Sequence, residues 1–301
     1  MIHDIIKIFR EKANPLTRKA LEKAPRISFF SAKFNRFRIL LALKIVYFFF
    51  RLKNRLEIQN KHILEKLRRE EKDFLVIANH SCLLDVIIHQ AVHIHINHMV
   101  FSFINSGGFN LLGIPIVPTV LHFSELVPRH GTGQHCVDRM VSRLARGDHV
   151  LLFPEGSYNR GLVTEGYNGV SRVAYGYEQL TGKKLKILPV CTIGGHIAYP
   201  PKGWYRRRWR RKHRKRHHHH HHRKFPLVKA RGGQKMIFKF GEPFTLHFSE
   251  NPSKDEHMKN SMVAMHEIAG IWGQKKIYKN QSRIWRRMRE KKPVKSRYYV
   301  D

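Results

Sequence analysis

The chain has 301 residues, 42% of them hydrophobic, and 57 Lys and Arg against 22 Asp and Glu, a formal charge of +35. That is enough apolar material for one large α/β domain or two small ones. Cys82, Cys136 and Cys191 are scattered, which excludes a disulfide framework or a cysteine metal site and points to a reducing compartment. The charge selects partners rather than a fold, and nucleic acid, an anionic membrane and an acidic small substrate are all candidates.

Taken in order, Ile2, Ile5, Ile6 and Phe9 recur at helical spacing beside Lys7 and Arg10, too polar and too short for a secretory signal. Residues 39–50 form a twelve-residue apolar run broken by Lys44 and flanked by Arg36, Arg38, Arg51, Lys53 and Arg55. A membrane-spanning helix needs about twenty residues, so this run predicts a helix in the membrane interface, with Lys44 snorkelling, or a buried first helix of the domain. Residues 53–71 read as a charged helix or connector.

Phe74-Leu75-Val76-Ile77 reads as a buried strand that turns into Asn79-His80-Ser81-Cys82-Leu83-Leu84-Asp85, and Val86-Ile87-Ile88 reads as the inner side of a helix. With Ser81 as N-cap, Asp85 is the fourth helical position and lies beside His80. A carboxylate on one ring nitrogen fixes the tautomer and leaves the other basic, which is the arrangement of a general base. The same residues also suit plain capping chemistry. Cys82 reads as a buried thiol. Beyond lie His89, His93, His95 and His98; His89 and His93 stand one turn apart, a spacing compatible with a shared metal but more often structural.

A strand over 99–104 and Gly-rich turns precede Glu125-Leu126-Val127-Pro128-Arg129, a strand ending in an Arg that suits either a surface loop or bidentate phosphate binding. A helix follows over 138–146 with Gly147 as its stop. The apolar run 150–153 then breaks into Pro154-Glu155-Gly156-Ser157-Tyr158-Asn159-Arg160-Gly161. A helix over 170–180, stopped at Thr181-Gly182, leads to a strand over 185–191 containing Pro189, either a pocket wall or a strand-end proline.

Residues 202–231 hold fourteen Lys or Arg, no acidic residue, and six consecutive histidines at 217–222. Such a density of like charge predicts a mobile insertion, and its Trp204, Tyr205 and Trp209 suit an anionic membrane surface. A strand over 235–240, a helix over 257–272 and a basic tail over 284–292 complete the chain.

The two boxes resemble those of the glycerolipid (lysophospholipid) acyltransferase family, which carries N-H-x-x-x-x-D and, about seventy residues on, F-P-E-G-[ST]-R. Glu125 to Arg129, Ile187-Leu188-Pro189-Val190 and Phe240-Gly241-Glu242-Pro243-Phe244 resemble its other landmarks. The resemblance covers residues 74–244. It implies an α/β fold, with a mixed, mainly parallel sheet flanked by helices and N-terminal membrane-interface helices. The domains expected are a docking segment 1–60, an acyltransferase domain 61–280 with the basic insertion 202–231, and a tail 281–301.

By the resemblance His80 and Asp85 are catalytic, Arg129, Glu155, Gly156, Ser157, Arg160 and Pro189 bind substrate, and no metal is required. Tyr158 stands where the family usually has Arg, so either Tyr158 stacks or hydrogen-bonds with a different head group or Arg129 and Arg160 hold an acceptor phosphate between them. The reaction implied is acyl transfer from acyl-CoA or acyl-carrier protein to a lysophospholipid, 1-acylglycerol 3-phosphate being favoured, at the cytoplasmic face of a membrane. Other lyso-lipid acceptors and an inactive member of the family stay open. A nucleic-acid-binding protein is the rival reading; it leaves both boxes unexplained, and no specific nucleic acid is expected.

Overall fold

A computed structural model describes residues 29–71, 73–82, 84–105, 124–127, 133–156, 159, 161–199 and 233–279. The five residues of β2 (Phe74–Ala78) are all buried. Their side chains alternate, so Phe74, Val76 and Ala78 enter one apolar layer while Leu75 and Ile77 enter the other. A strand buried on both faces belongs in the middle of a helix-covered parallel sheet. β2 indeed lies between β5 (Val150–Leu152) and β6 (Lys186–Ile193), parallel to both.

Among the described residues the sheet has seven strands, in the order β1-β7-β6-β2-β5-β3-β4. β3 (Phe101–Asn105) and β4 (Ser124–Val127) extend it in parallel on one side. On the other side β7 (Ile237–Phe240) runs antiparallel to β6, and β1 (Glu57–Gln59) is parallel to β7. The mixed, mainly parallel α/β sheet expected from the sequence is therefore the fold. It reaches back to Glu57, so the expected docking segment 1–60 contributes a strand to the domain expected from 61 onward.

One face is covered by α1 (Phe29–Asn54), α2 (Lys61–Glu70) and α3 (Asp85–His95), the other by α4 (Gly133–Leu144), α5 (Gly169–Thr181) and α7 (Lys254–Trp272). A short helix, α6 (Gly195–Ala198), follows β6. The charged helix expected within 53–71 is α2 and occupies only Lys61–Glu70: α1 ends at Asn54 and β1 intervenes.

α1 packs on the domain as its first helix, the second of the two alternatives for the apolar run. Leu43, Tyr47, Phe50 and Asn54, spaced by three or four, are buried on the core. Tyr47 stacks on His95 of α3 with ring centroids 3.7 Å apart, and Tyr199 bonds Asn54. Leu41, Ile45, Phe48, Phe49 and Leu52 point to solvent, with Phe49 63% exposed. Among the described residues no helix is long and apolar enough to cross a membrane. The expected segments 1–9, 202–231 and 284–292 lie outside the described residues.

Candidate active site

At Ala78 the backbone ladder between β2 and β6 ends, and the Asn79 side chain continues it. Its Nδ2 donates to the Thr192 carbonyl at 3.0 Å and its Oδ1 accepts the Thr192 N–H at 2.7 Å. The chain then turns, and α3 begins at Asp85 itself, with Leu84 before it. Ser81 is therefore not an N-cap and Asp85 is not the fourth helical position. The reason is local: the carboxylate of Asp85 gathers the donors of Ser81 and Cys82, which keeps these two residues out of the helix. It accepts from Ser81 Oγ at 3.0 Å, from the Cys82 N–H at 2.7 Å and from the Cys82 thiol at 3.2 Å.

The same carboxylate meets His80, with Oδ2 2.9 Å from Nδ1. Asp85 is fully buried, while the His80 side chain is 17% exposed, so only the imidazole can reach a substrate. Burial pushes the Asp85 carboxyl up, but the His80 bond and charge and the Cys82 N–H outweigh it and hold it below the usual range. Burial and the Asp85 charge push the Cys82 thiol far up, so it stays a donor and is not a nucleophile.

Glu155 comes from the turn after β5 and is also fully buried. One oxygen accepts the His80 backbone N–H at 2.6 Å; the other accepts the Thr164 N–H at 2.7 Å and its hydroxyl at 3.0 Å. It therefore holds the backbone of the first box. Burial pushes its pKa up to about 7, against the pull of those donors. From the other side, the Asn159 N–H donates to the His80 carbonyl at 2.7 Å, and Asn159 Nδ2 donates to Thr164 Oγ1 at 2.9 Å. Both polar groups of the His80 peptide are thus taken by one loop. Gly156 completes that turn, where a Cβ would stand 2.8 Å from the Tyr167 ring.

Pro189 is not a strand-end proline. It is the fourth of eight residues in β6, level with Ile77 of β2. A proline there lacks a ladder donor. The neighbouring strand accommodates it: β7 ends at Phe240, the Gly241 N–H donates to the Pro189 carbonyl at 2.9 Å, and pairing resumes between Ile187 and Phe244. The segment around Gly241 is thus the complement of Pro189. Arg129, Ser157, Tyr158 and Arg160 lie outside the described residues.

His89 and His93 turn to different partners rather than to a common ion. His89 Nε2 lies 3.1 Å from Thr192 Oγ1, whereas His93 Nδ1 lies 2.7 Å from His98 Nδ1, and His98 Nε2 lies 2.6 Å from His149 Nδ1. Among the described residues no group of three His, Cys, Asp or Glu could hold a metal. Asn79, Asn159 and Thr164 were not picked out from the sequence. Only Asn79 carried a signal, a side-chain amide where an apolar strand ends.

A partly exposed imidazole backed by a buried carboxylate can accept a proton from a hydroxyl. Residues 55–193 match the family model named Acyltransferase. No curated protein matches the chain. Among solved structures, the fold is similar to that of the 1-acyl-sn-glycerophosphate (LPA) acyltransferase PlsC from Thermotoga maritima. The match is 15% identical, has a TM-score of 0.52, and covers 81% of this chain and 88% of that one.

Proposed function

We propose that the chain, whose residues 55–193 match the Acyltransferase family model, works as a glycerolipid acyltransferase and moves a fatty acyl group from a thioester to the free hydroxyl of a lysophospholipid. The observation that carries the reading is the 2.9 Å contact between His80 Nδ1 and the buried Asp85 carboxylate. Asp85 accepts the Nδ1 proton, so His80 Nε2 holds the lone pair. Nε2 takes the hydroxyl proton as that oxygen attacks the thioester carbonyl. The tetrahedral intermediate collapses, the C–S bond breaks, and the thiolate leaves with the proton returned by His80. General-base help of this kind contributes about 10²–10⁴-fold. No metal or cofactor enters the step.

The favoured acceptor is 1-acylglycerol 3-phosphate, which yields phosphatidic acid. Arg129 and Arg160 are assigned to its phosphate, since a guanidinium pairs two oxygens at once. The donor is acyl-CoA or acyl-carrier protein. The exposed apolar side of α1, with Leu41, Ile45, Phe48, Phe49 and Leu52, suits docking on a bilayer, and the charge of +35 favours an anionic one. Mass spectrometry of the lipids formed from a labelled acyl-CoA and a panel of lysophospholipids tests the acceptor. Labelled phosphatidic acid as the main product supports the assignment; a product with another head group replaces it.

A further inference from the structure

We propose that His196 is a positioning residue of the site, holding the Asn159–Gly161 turn against the His80 carbonyl; the proposal rests on the role given above to His80. His196 lies in α6, which starts directly after β6 and which neither box includes. Two close approaches set this helix against both boxes. A Cβ on Gly195 would overlap Ser81 Oγ and come within 3.5 Å of Asp85 Oδ1. On the next residue, the Cε1–Nδ1 edge of the His196 ring covers Gly161, where a Cβ would overlap both ring atoms.

Gly161 is at φ +77°, a conformation that side chains rarely adopt, and its N–H donates to the Asn159 carbonyl at 2.6 Å. Asn159 in turn donates its N–H to the His80 carbonyl at 2.7 Å. The contacts therefore close a circuit from Asp85 through Ser81, Gly195, His196, Gly161 and Asn159 back to His80. Within it the imidazole presses on Gly161 from outside that loop.

The ring chemistry agrees with a packing role. His196 Nδ1 is buried and has no hydrogen-bond partner. An orphaned N–H is costlier than an orphaned lone pair, so the proton belongs on Nε2 and the covering edge is uncharged. Burial lowers the pKa of the ring, with Asp85 pulling the other way, so it stays neutral at physiological pH. An uncharged ring can press this edge on a glycine without drawing Asp85 away from His80.

The test is hydrogen exchange of the Asn159 amide in the full chain, compared between wild type and His196→Ala, with His196→Phe as a ring-preserving variant. The expected result is that exchange at Asn159 rises at least about tenfold in His196→Ala, as for an amide released to local opening. Amides of residues 186–193 should stay as protected as in wild type, and His196→Phe should restore most of the protection at Asn159. A loss of fold would instead speed exchange throughout. Unchanged protection at Asn159, equal acceleration across β6, or no restoration by Phe overturns the proposal. Thiol release from acyl-CoA is followed in the same samples. Its absence in wild type would sink the acyltransferase reading while leaving the exchange data to decide the role of His196.

Discussion

Glu155 Oε2 lies 2.6 Å from the backbone nitrogen of His80, two residues 75 positions apart in the chain. The bond joins the two sequence boxes through main chain rather than through substrate. Both oxygens of Glu155 face donors, from His80 and from Thr164. Glu155→Gln keeps the shape but must turn an NH₂ group toward one of those donors. A buried unsatisfied pair of this kind costs about 1–3 kcal/mol, and displacement of His80 adds to it. We expect kcat to fall about 10–100-fold with the acceptor KM within about threefold of wild type. Steady-state kinetics check it; a large rise in KM at unchanged kcat would return Glu155 to acceptor binding.

Asp85 is the second lever on the same imidazole. Asp85→Asn keeps the volume but replaces one acceptor oxygen with a donor, so the turn that holds Ser81, Cys82 and His80 cannot be satisfied. The expected loss is about 10²–10⁴-fold in kcat, comparable to loss of the base itself. The double variant with His80→Ala should lose little more than either single one, because the pair acts as a unit. Additive losses in the four-way comparison would separate the two residues.

Much of this was legible in the sequence, and the rest was not for identifiable reasons. Apolar runs at Phe74 to Ala78 and over β6 announced the central strands. β1 was missed because Glu57-Ile58-Gln59 has a single apolar residue and lies at the sheet edge. α4 starts at Gly133, ahead of the expected 138, because Gly133, Gln134 and His135 add no apolar periodicity. His80 and Asp85 were identified together, yet the helix start between them was misplaced. A capping rule reads one side chain at a time, whereas Asp85 collects several donors. Asn159 meets the His80 carbonyl and the His196 ring covers Gly161, contacts between segments distant in sequence that no local pattern encodes.

The buried histidines set a pH dependence of stability. Burial lowers His89 to about 4, and His93 and His98 well below their usual 6.5. Below about pH 6.5 the unfolded chain binds protons that the folded chain refuses, so stability is full above that pH and falls as pH drops toward 4. His89 alone contributes up to about 3 kcal/mol of this. Glu155 acts in the opposite sense, since its raised pKa of about 7 favours the folded state at low pH and that gain is lost as pH rises through 7. Three imidazoles outweigh one carboxylate. Urea unfolding should therefore show a clearly lower midpoint at pH 4.5 than at pH 7.5; equal midpoints would mean that the cluster is not buried and neutral.

The exposed side of α1 makes its own prediction. Phe48 and Phe49 are 56% and 63% exposed and make large apolar contributions if they insert into a bilayer. The double variant Phe48→Ser/Phe49→Ser should weaken flotation with vesicles rich in phosphatidylglycerol by about tenfold or more, and should leave thermal unfolding unchanged. Undiminished flotation would place the membrane contact elsewhere on the chain.

The central claim is that His80 is the base of an acyl transfer. The most direct test is release of free CoA thiol from a long-chain acyl-CoA, with 1-acylglycerol 3-phosphate present or absent, in wild type and His80→Ala. Wild type should release thiol only with the acceptor present, and the variant at least about 10²-fold less. Release at the wild-type rate from His80→Ala would contradict it.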